Sequence, residues 1–346
     1  MVPPEADTRA RPPHEVAAWS RAVVGPALRA AVDDLPTSTR HVAGYHLGWW
    51  DEHGEPTDAA GGKAIRPVLA QLAAEAVGGE AGAATPAAVA VELVHNFTLL
   101  HDDVLDGDRT RRHRPAAWHV FGVGAAVLTG DALLALAFDV LADSGHPEAL
   151  TAVRRLNATV QGLVEGEHTD LAFERRHDVG VAECLAMVER KTAGLLATAC
   201  ALGALFGGGD PTRVAGLRMF GHRLGMAFQH VDDLLGIWGE PAVTGKPVHA
   251  DLLARKKSLP VVAALASGTP AGREFAELYR QDGPLTPTEQ ARAAELVEAA
   301  GGRAWSERQA ERLLAEALRA LDSLHPAPRA GAELAALAEA IVRRDR

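Results

Sequence analysis

His101-Asp102-Asp103-Val104-Leu105-Asp106-Gly107-Asp108-Arg109-Thr110-Arg111-Arg112-His113-Arg114-Pro115 closes an apolar run that begins at Val91. Continued as a helix, that run stacks Asp102 and Asp106 one turn apart on one face. Two like charges so placed destabilise an isolated helix by about 0.2–0.5 kcal/mol, so something positive should compensate them. Hard carboxylate oxygens at this spacing suit Mg2+, which keeps several waters and shares the phosphates of a ligand. Arg109, Arg111, Arg112 and Arg114 follow at once, and guanidinium forks match phosphate oxygens as a point charge does not. A carboxylate clamp for a metal followed by a basic clamp for phosphate reads as a diphosphate site. The competing reading, a solvated charge run, sits poorly with carboxylates that end an apolar helix.

The whole chain has 346 residues, 47% of them hydrophobic, enough to bury a sizeable core. Its formal net charge of −10 argues against a general binder of nucleic acid or anionic membranes. Local basic clusters then read as pockets for small anions. Cys184 and Cys200 lie in apolar helical context with no metal-like spacing, as buried free thiols do in a reducing cytoplasm. The first residues lack the apolar core of a secretion signal. No run reaches the ~18 uninterrupted apolar residues of a membrane span. A soluble cytoplasmic protein is expected.

Residues 1–14 carry four prolines and mixed charge, which predicts a disordered leader. Residues 15–346 are expected to form a single all-α domain. Val16, Trp19, Val23, Val24, Leu28 and Ala31 recur at helical steps. Gly61-Gly62-Lys63-Ala64-Ile65-Arg66-Pro67 then opens a helix, where glycines allow close backbone approach and free N–H groups favour anions. Lys63 and Arg66 are three apart and can point together. Helices are predicted over Val68–Ala76, Pro86–Leu100, Val120–Ala142 (long and buried), Pro147–Glu174 and Val181–Phe206. His95 precedes Asp102 by two helical turns on the same face, as a core histidine or as a group facing the carboxylates. Lys191, amid apolar neighbours, either snorkels or meets a buried anion. Arg213–Trp238 carries a second acidic pair, Asp232-Asp233, costly in an apolar helix unless a cation or partner meets it. It reads as the other jaw of the metal clamp, with Lys246, Arg255, Lys256 and Lys257 just beyond. No segment shows a convincing run of strand alternation.

At this point the chain resembles the trans-isoprenyl diphosphate synthases, the polyprenyl synthetase family, from about residue 60 to 265. Gly61–Pro67 is similar to the family's G-G-K-x-x-R-P, Asp102–Asp106 to its D-D-x-x-D, and Arg111-Arg112 to the trailing arginine pair. Phe228–Asp233 is similar to F-Q-x-x-D-D, and Lys191-Thr192, Lys246 and Lys256 match the remaining diphosphate positions. The resemblance implies the isoprenoid synthase fold, a bundle of mainly antiparallel helices around a central apolar cavity, normally a homodimer. It implies Mg2+ held by Asp102, Asp106 and Asp232, with Asp103 and Asp233 in support. It implies an allylic diphosphate on Arg111, Lys191, Thr192, Gln229, Lys246 and Lys256, and isopentenyl diphosphate on Lys63, Arg66, His95 and Arg112.

Three positions depart from the pattern. Gly236 stands where a third Asp is usual, Ala64 where an Arg is usual, and His113 where a Gly is usual; the last is expected to change loop shape only. The implied reaction is departure of diphosphate from an allylic carbon, with Mg2+ and basic residues placed where negative charge grows. The double bond of isopentenyl diphosphate then attacks, and the released diphosphate takes the proton. A bulky residue at the fifth position before the first motif (Phe97) and a small one at the fourth (Thr98) resemble C20 producers. Geranylgeranyl diphosphate is therefore the expected product, with C15 or a longer chain as alternatives. A class I terpene cyclase is disfavoured, because neither Asn96 nor Asn157 opens an N-D-x-x-S-x-x-x-E pattern. A non-catalytic subunit of a hetero-oligomer is the reading of another class, favoured by Gly236 and Ala64.

Overall fold

A computed structural model describes residues 9–57, 62, 64–241, 247–281 and 283–343. The chain is all-α: α1 (Pro13–Asp33), α2 (Thr37–His46), α3 (Ile65–Ala76), α4 (Thr85–Leu105), α5 (Ala117–Phe121), α6 (Val123–Ala142), α7 (Ala149–Glu174) and α8 (Val181–Val188) come first. A π turn over Glu189–Ala193 leads into α9 (Gly194–Phe206), then α10 (Pro211–Trp238), α11 (Ala250–Leu253), α12 (Leu259–Leu265) and α13 (Pro270–Tyr279). Next come α14 (Pro287–Ala299), α15 (Gly302–Asp322) and α16 (Pro328–Val342). Extended pairing among the described residues is confined to a hairpin of β1 (Thr110–Arg111) on β2 (Arg114–Pro115) and a bridge between Trp50 and Pro56.

The helices fall into two compact units. The first takes Met1–Val160, Thr198–Arg218 and Leu321–Leu337; the second takes Gln161–Ala197, Met219–Ala320 and Ala338–Arg346. At the centre of the first unit lies α4, with Pro86 in its first turn, where the missing N–H costs nothing. Its Val89, Val91, Leu93, Val94, Phe97 and Leu100 are all buried, the pattern of an interior helix. It packs chiefly on α6, then on α3 and α1. The second unit has its own apolar core, including Ile237, Leu252, Val261, Phe275 and Val297.

The structure revises three expected boundaries. Residues 9–14 are not a disordered leader, because α1 starts at Pro13 and Arg11 is tied down. Arg11 donates from its main-chain N, Nε and Nη2 to the buried Glu333 carboxylate at 3.0, 2.8 and 2.7 Å. A carboxylate taken out of water needs such a partner, and this need orders the segment. Residues 1–8 lie outside the described set. The helix expected over Val120–Ala142 breaks at Gly122, whose φ of 87° no other residue takes readily. Nor is it buried throughout. Ala126, Thr129, Gly130, Leu133, Ala137 and Leu141 form one inward stripe, while Val123 and Leu128 are 51% and 68% exposed. The helix expected over Val181–Phe206 contains the π turn at Lys191. Ala81–Leu105 and Val123–Ala142 have the length and hydropathy of membrane spans, and 67% of the first window is buried inside the protein.

Glycine sets the closeness of one helix pair in the first unit. A Cβ on Gly203 of α9 would lie 1.9 Å from the Ala70 carbonyl oxygen of α3. That oxygen is backbone and cannot rotate away. Gly203→Ala is expected to cost about 3 kcal/mol or more of stability, read as a lowered midpoint in urea unfolding; an unchanged midpoint would refute the close approach.

Candidate active site

In the first unit, the Asp106 N–H donates to the Asp102 carbonyl at 2.8 Å, so the helical turn is carried through Asp106. Gly107 then takes φ 68° and ends it. Asp102 and Asp106 thus share a face, Asp102 half-buried and Asp106 exposed. Asp103 points inward and is 1% exposed. Arg111 meets it from the hairpin, donating Nε at 2.8 Å and Nη2 to the same oxygen. Burial opposes the charge of Arg111, and the hydrogen bonds and charge of Asp103 more than restore it, leaving the pKa raised.

The two residues turning that hairpin, Arg112 and His113, both have left-handed backbones at φ 52° and 61°, as a tight two-residue turn requires. His113 therefore holds a conformation that a glycine takes without strain. Arg114 borders a small cavity with Arg111 and Arg112, but its guanidinium is committed elsewhere. It donates to the carbonyls of Trp50 and Tyr45 and covers the Tyr45 ring, a structural role.

Behind Arg112 lies a largely apolar pocket. A cavity of about 240 Å³ is lined by Leu28, Trp49, Gly62, Ala64, Glu92 and Arg112, among others. A Cβ on Gly62 would sit 2.7 Å from Arg112 Nη2, so the glycine makes room for the guanidinium. Burial pulls the Arg66 pKa down to about 10, with Glu92 opposing, and its Nε has no hydrogen-bond partner among the described residues. Burial likewise lowers Arg112. His95, half-buried and beside Arg66, Arg112 and His46, is held well below its ordinary pKa by desolvation and those charges and is neutral. His46 falls to about 3, first by burial and then through Arg112 and Arg111. Glu92 is raised by burial against the pull of Arg66 and Arg112. Arg66, Arg111 and Arg112 gather here, with Glu92 acting on the first and last and Asp103, Asp108 and Asp102 acting on Arg111.

The second unit holds the other basic and acidic groups. Lys191 sits in the π turn, a helix defect common at functional sites, and its Nζ reaches Glu167 at 2.6 Å and Asp170 at 2.7 Å. It meets the protein's own carboxylates rather than snorkelling. Thr192 Oγ1 donates to Gln229 Oε1 at 2.7 Å, and Gln229 Nε2 donates to Asp233 Oδ1 at 2.7 Å. The Leu259 N–H donates to the other Asp233 oxygen at 2.8 Å. Asp233 is buried, which pushes its pKa up to about 7. Asp232 is exposed. Lys256 lies among Asp251, Asp233, Asp170 and Asp232; burial works against its charge, and these carboxylates raise its pKa above the ordinary lysine value. Lys63 and Lys246 lie outside the described residues.

The polyprenyl synthetase profile matches residues 49–298. The chain belongs to the polyprenyl synthetase family. It is 44% identical over 344 residues to a (2E,6E)-farnesyl diphosphate synthase of Mycobacterium bovis, covering 99% of this chain and 96% of that one. It is 46% identical over 327 residues to a geranylgeranyl diphosphate synthase of Mycobacterium tuberculosis, covering 94% and 92%. A polyprenyl synthetase structure from Streptomyces coelicolor A3(2) superposes with a TM-score of 0.90 at 46% identity, over 95% of this chain and 99% of that one. A geranylgeranyl pyrophosphate synthase from Corynebacterium glutamicum, complexed with isoprenyl diphosphate and magnesium, gives 0.80 at 28% identity over 96% and 98%. The fold is the all-α isoprenoid synthase fold, and the protein is a prenyltransferase that elongates prenyl chains.

Several groups of this polyprenyl synthetase site had no role in the sequence reading. Glu167 and Asp170 hold Lys191, and their i, i+3 spacing on one helix face was the available signal. Glu92, an acid inside an apolar run, lines the cavity behind Arg112, and His46 lines a separate small one with Arg111 and Arg112. Nothing local marks His46. Its neutrality has a measurable consequence. An unfolded imidazole takes up a proton near pH 6.5, whereas folded His46 resists until about 3. Across that window the unfolded chain binds more protons, so the contribution is full above the unfolded value and is lost as pH falls. His46→Gln is expected to flatten the apo protein's stability profile by up to about 1.4 kcal/mol per pH unit between about pH 6 and 4. Denaturant titrations at stepped pH read this, and an unchanged slope would show that His46 titrates normally.

Proposed function

We propose that this polyprenyl synthetase condenses isopentenyl diphosphate with an allylic diphosphate in a Mg2+-dependent reaction and releases geranylgeranyl diphosphate. The observation that carries the site reading is the half-buried cationic cluster of Arg66, Arg112 and neutral His95, in which Arg66 Nε has no hydrogen-bond partner among the described residues. That cluster suits the diphosphate of isopentenyl diphosphate, with Lys63 as a further cation. Asp102, Asp106 and Asp232 would hold the metal, with Asp103 and Asp233 behind them. Their chemistry fits: they are hard oxygen donors, and Asp106 and Asp232 are exposed. Bound Mg2+ would neutralise charge on the departing diphosphate. Arg111, Lys191, Thr192, Gln229, Lys246 and Lys256 would bind and orient the allylic diphosphate, and apolar walls exclude water from the cation.

The C20 product is supported by Phe97, buried five residues before Asp102 with its ring edge-on to His101 at a centroid distance of 4.8 Å. Thr98 turns its hydroxyl back onto the His95 carbonyl at 2.8 Å, leaving Phe97 the larger obstacle. The C15 reading draws on the relative named a farnesyl diphosphate synthase. Incubation with labelled isopentenyl diphosphate and dimethylallyl, geranyl or farnesyl diphosphate, with and without Mg2+, separates the readings by product length. Phe97→Ala is expected to lengthen the main product by at least one five-carbon unit; an unchanged length would remove Phe97 as the floor. A homodimer is supported by the exposed apolar side chains of α6, and a cytoplasmic location by the two buried, unbridged thiols.

A further inference from the structure

The short helix α11 ends on an arginine in the left-handed region: Arg255 has φ 52°. Its N–H donates to the Leu252 carbonyl at 3.0 Å, and the Lys256 N–H donates to the Asp251 carbonyl at 2.9 Å. This pair of bonds is a Schellman ending, whose left-handed place glycine ordinarily takes because a Cβ is strained there. The same ending sets the residue just past the left-handed one against a residue in the last turn, a contact that is usually apolar. Here those two residues are Lys256 and Asp251, and Asp251 is foremost among the carboxylates acting on Lys256. The cap that stops α11 is therefore also what aims Lys256.

Side chains from elsewhere in the second unit pin that cap. Arg255 donates Nη1 to the Tyr279 carbonyl at 2.7 Å, and Nε and Nη2 to the Gly283 carbonyl at 3.2 and 2.8 Å. Tyr279 closes α13, where the last carbonyls have no helical donor of their own. In return, the buried Tyr279 donates its hydroxyl to the Lys256 carbonyl at 3.0 Å. Lys257 Nζ donates to the Arg255 carbonyl at 3.2 Å, and the Cys184 thiol donates to the Lys257 carbonyl at 3.2 Å. The carbonyls of residues 255, 256 and 257 are thus each taken by a side chain. A left-handed arginine persists because its surroundings over-determine it.

We propose that Arg255 and Tyr279 are positioning residues for Lys256, locking the cap whose geometry points its ammonium at the allylic diphosphate. This rests on the synthase reading and deepens it. Both act through the main chain of residues 255 and 256, not on the substrate.

The test is a double-mutant cycle on the full-length protein, read as kcat/KM for geranyl diphosphate with isopentenyl diphosphate and Mg2+ saturating. Tyr279→Phe, which removes one hydroxyl and keeps the ring, is expected to lower it about tenfold. Arg255→Ala, which loses the guanidinium that holds the turn, should lower it at least as far. Arg255→Gly should stay within about threefold of the parent, because glycine takes the left-handed backbone without being held there. Lys256→Ala is expected to lower kcat/KM about 100-fold. Adding Tyr279→Phe or Arg255→Ala to it should then change the value by less than about twofold, whereas a merely structural role would leave the effects additive. Circular dichroism melts establish that each variant is folded. Parental kcat/KM in Tyr279→Phe, additive effects in the Lys256→Ala background, or an Arg255→Gly enzyme no better than Arg255→Ala overturns the assignment and leaves the synthase reading intact. A parent protein that elongates no primer overturns the synthase reading, and this assignment with it.

Discussion

Replacing Gly166 by alanine is expected to lower kcat about 100-fold while leaving the protein folded. A Cβ there would lie 2.7 Å from the Lys191 main-chain N and 3.0 Å from its Cα and Cβ. On the other side, a Cβ on Gly225 would lie 2.6 Å from Ala193 Cα. The π turn is thus seated between two glycines, and any added atom on α7 pushes the turn that aims Lys191. Lys191 is held by Glu167 and Asp170, so displacing its backbone also breaks a paired arrangement. A misplacement of about 1 Å is enough for a 100-fold loss where a cation must meet charge developing on a leaving group. Lys191→Ala should reduce kcat at least as far, since it removes the ammonium altogether. Steady-state kinetics with geranyl diphosphate, set beside thermal melts, give the answer. A Gly166→Ala enzyme with parental kcat would show that the turn has slack and that Lys191 is not aimed by its seat.

Arg111→Leu is expected to lower both stability and turnover. Asp103 is buried and takes two charge-assisted hydrogen bonds from this one guanidinium. Removing one partner of a buried ion pair costs about 3–5 kcal/mol, because the remaining charge stays out of water. Loss of the same group from the allylic diphosphate is expected to lower kcat/KM by a further 100-fold or about that. Arg111→Lys keeps the charge and loses the fork, so it should recover stability better than activity. Urea unfolding and kcat/KM on the two variants separate the effects. Equal recovery of both by lysine would mean that only charge matters at this position.

The sequence by itself determined the elements and the chemical inventory. Helical periodicity made α4 legible as an interior helix starting at Pro86, because apolar stripes are local, although its expected end at Leu100 fell one turn short of Leu105. The same holds for Asp102 and Asp106, one turn apart, and for the arginines and lysines that match diphosphate. Burial and long-range partners were decided only by the tertiary structure. Arg114 looked like its neighbours and proved to be bound to main-chain carbonyls of residues 45 and 50. Asp102 and Asp103 are adjacent aspartates, yet one is half-buried and the other sealed against Arg111. The π turn depends on glycines at 166 and 225, far from residue 191 in the chain. Gly236 read alone as a missing acid, and only the fold brings the Asp251 side chain against it. In each case the deciding term is desolvation or close backbone approach, and both depend on which distant segment arrives, which no local pattern encodes.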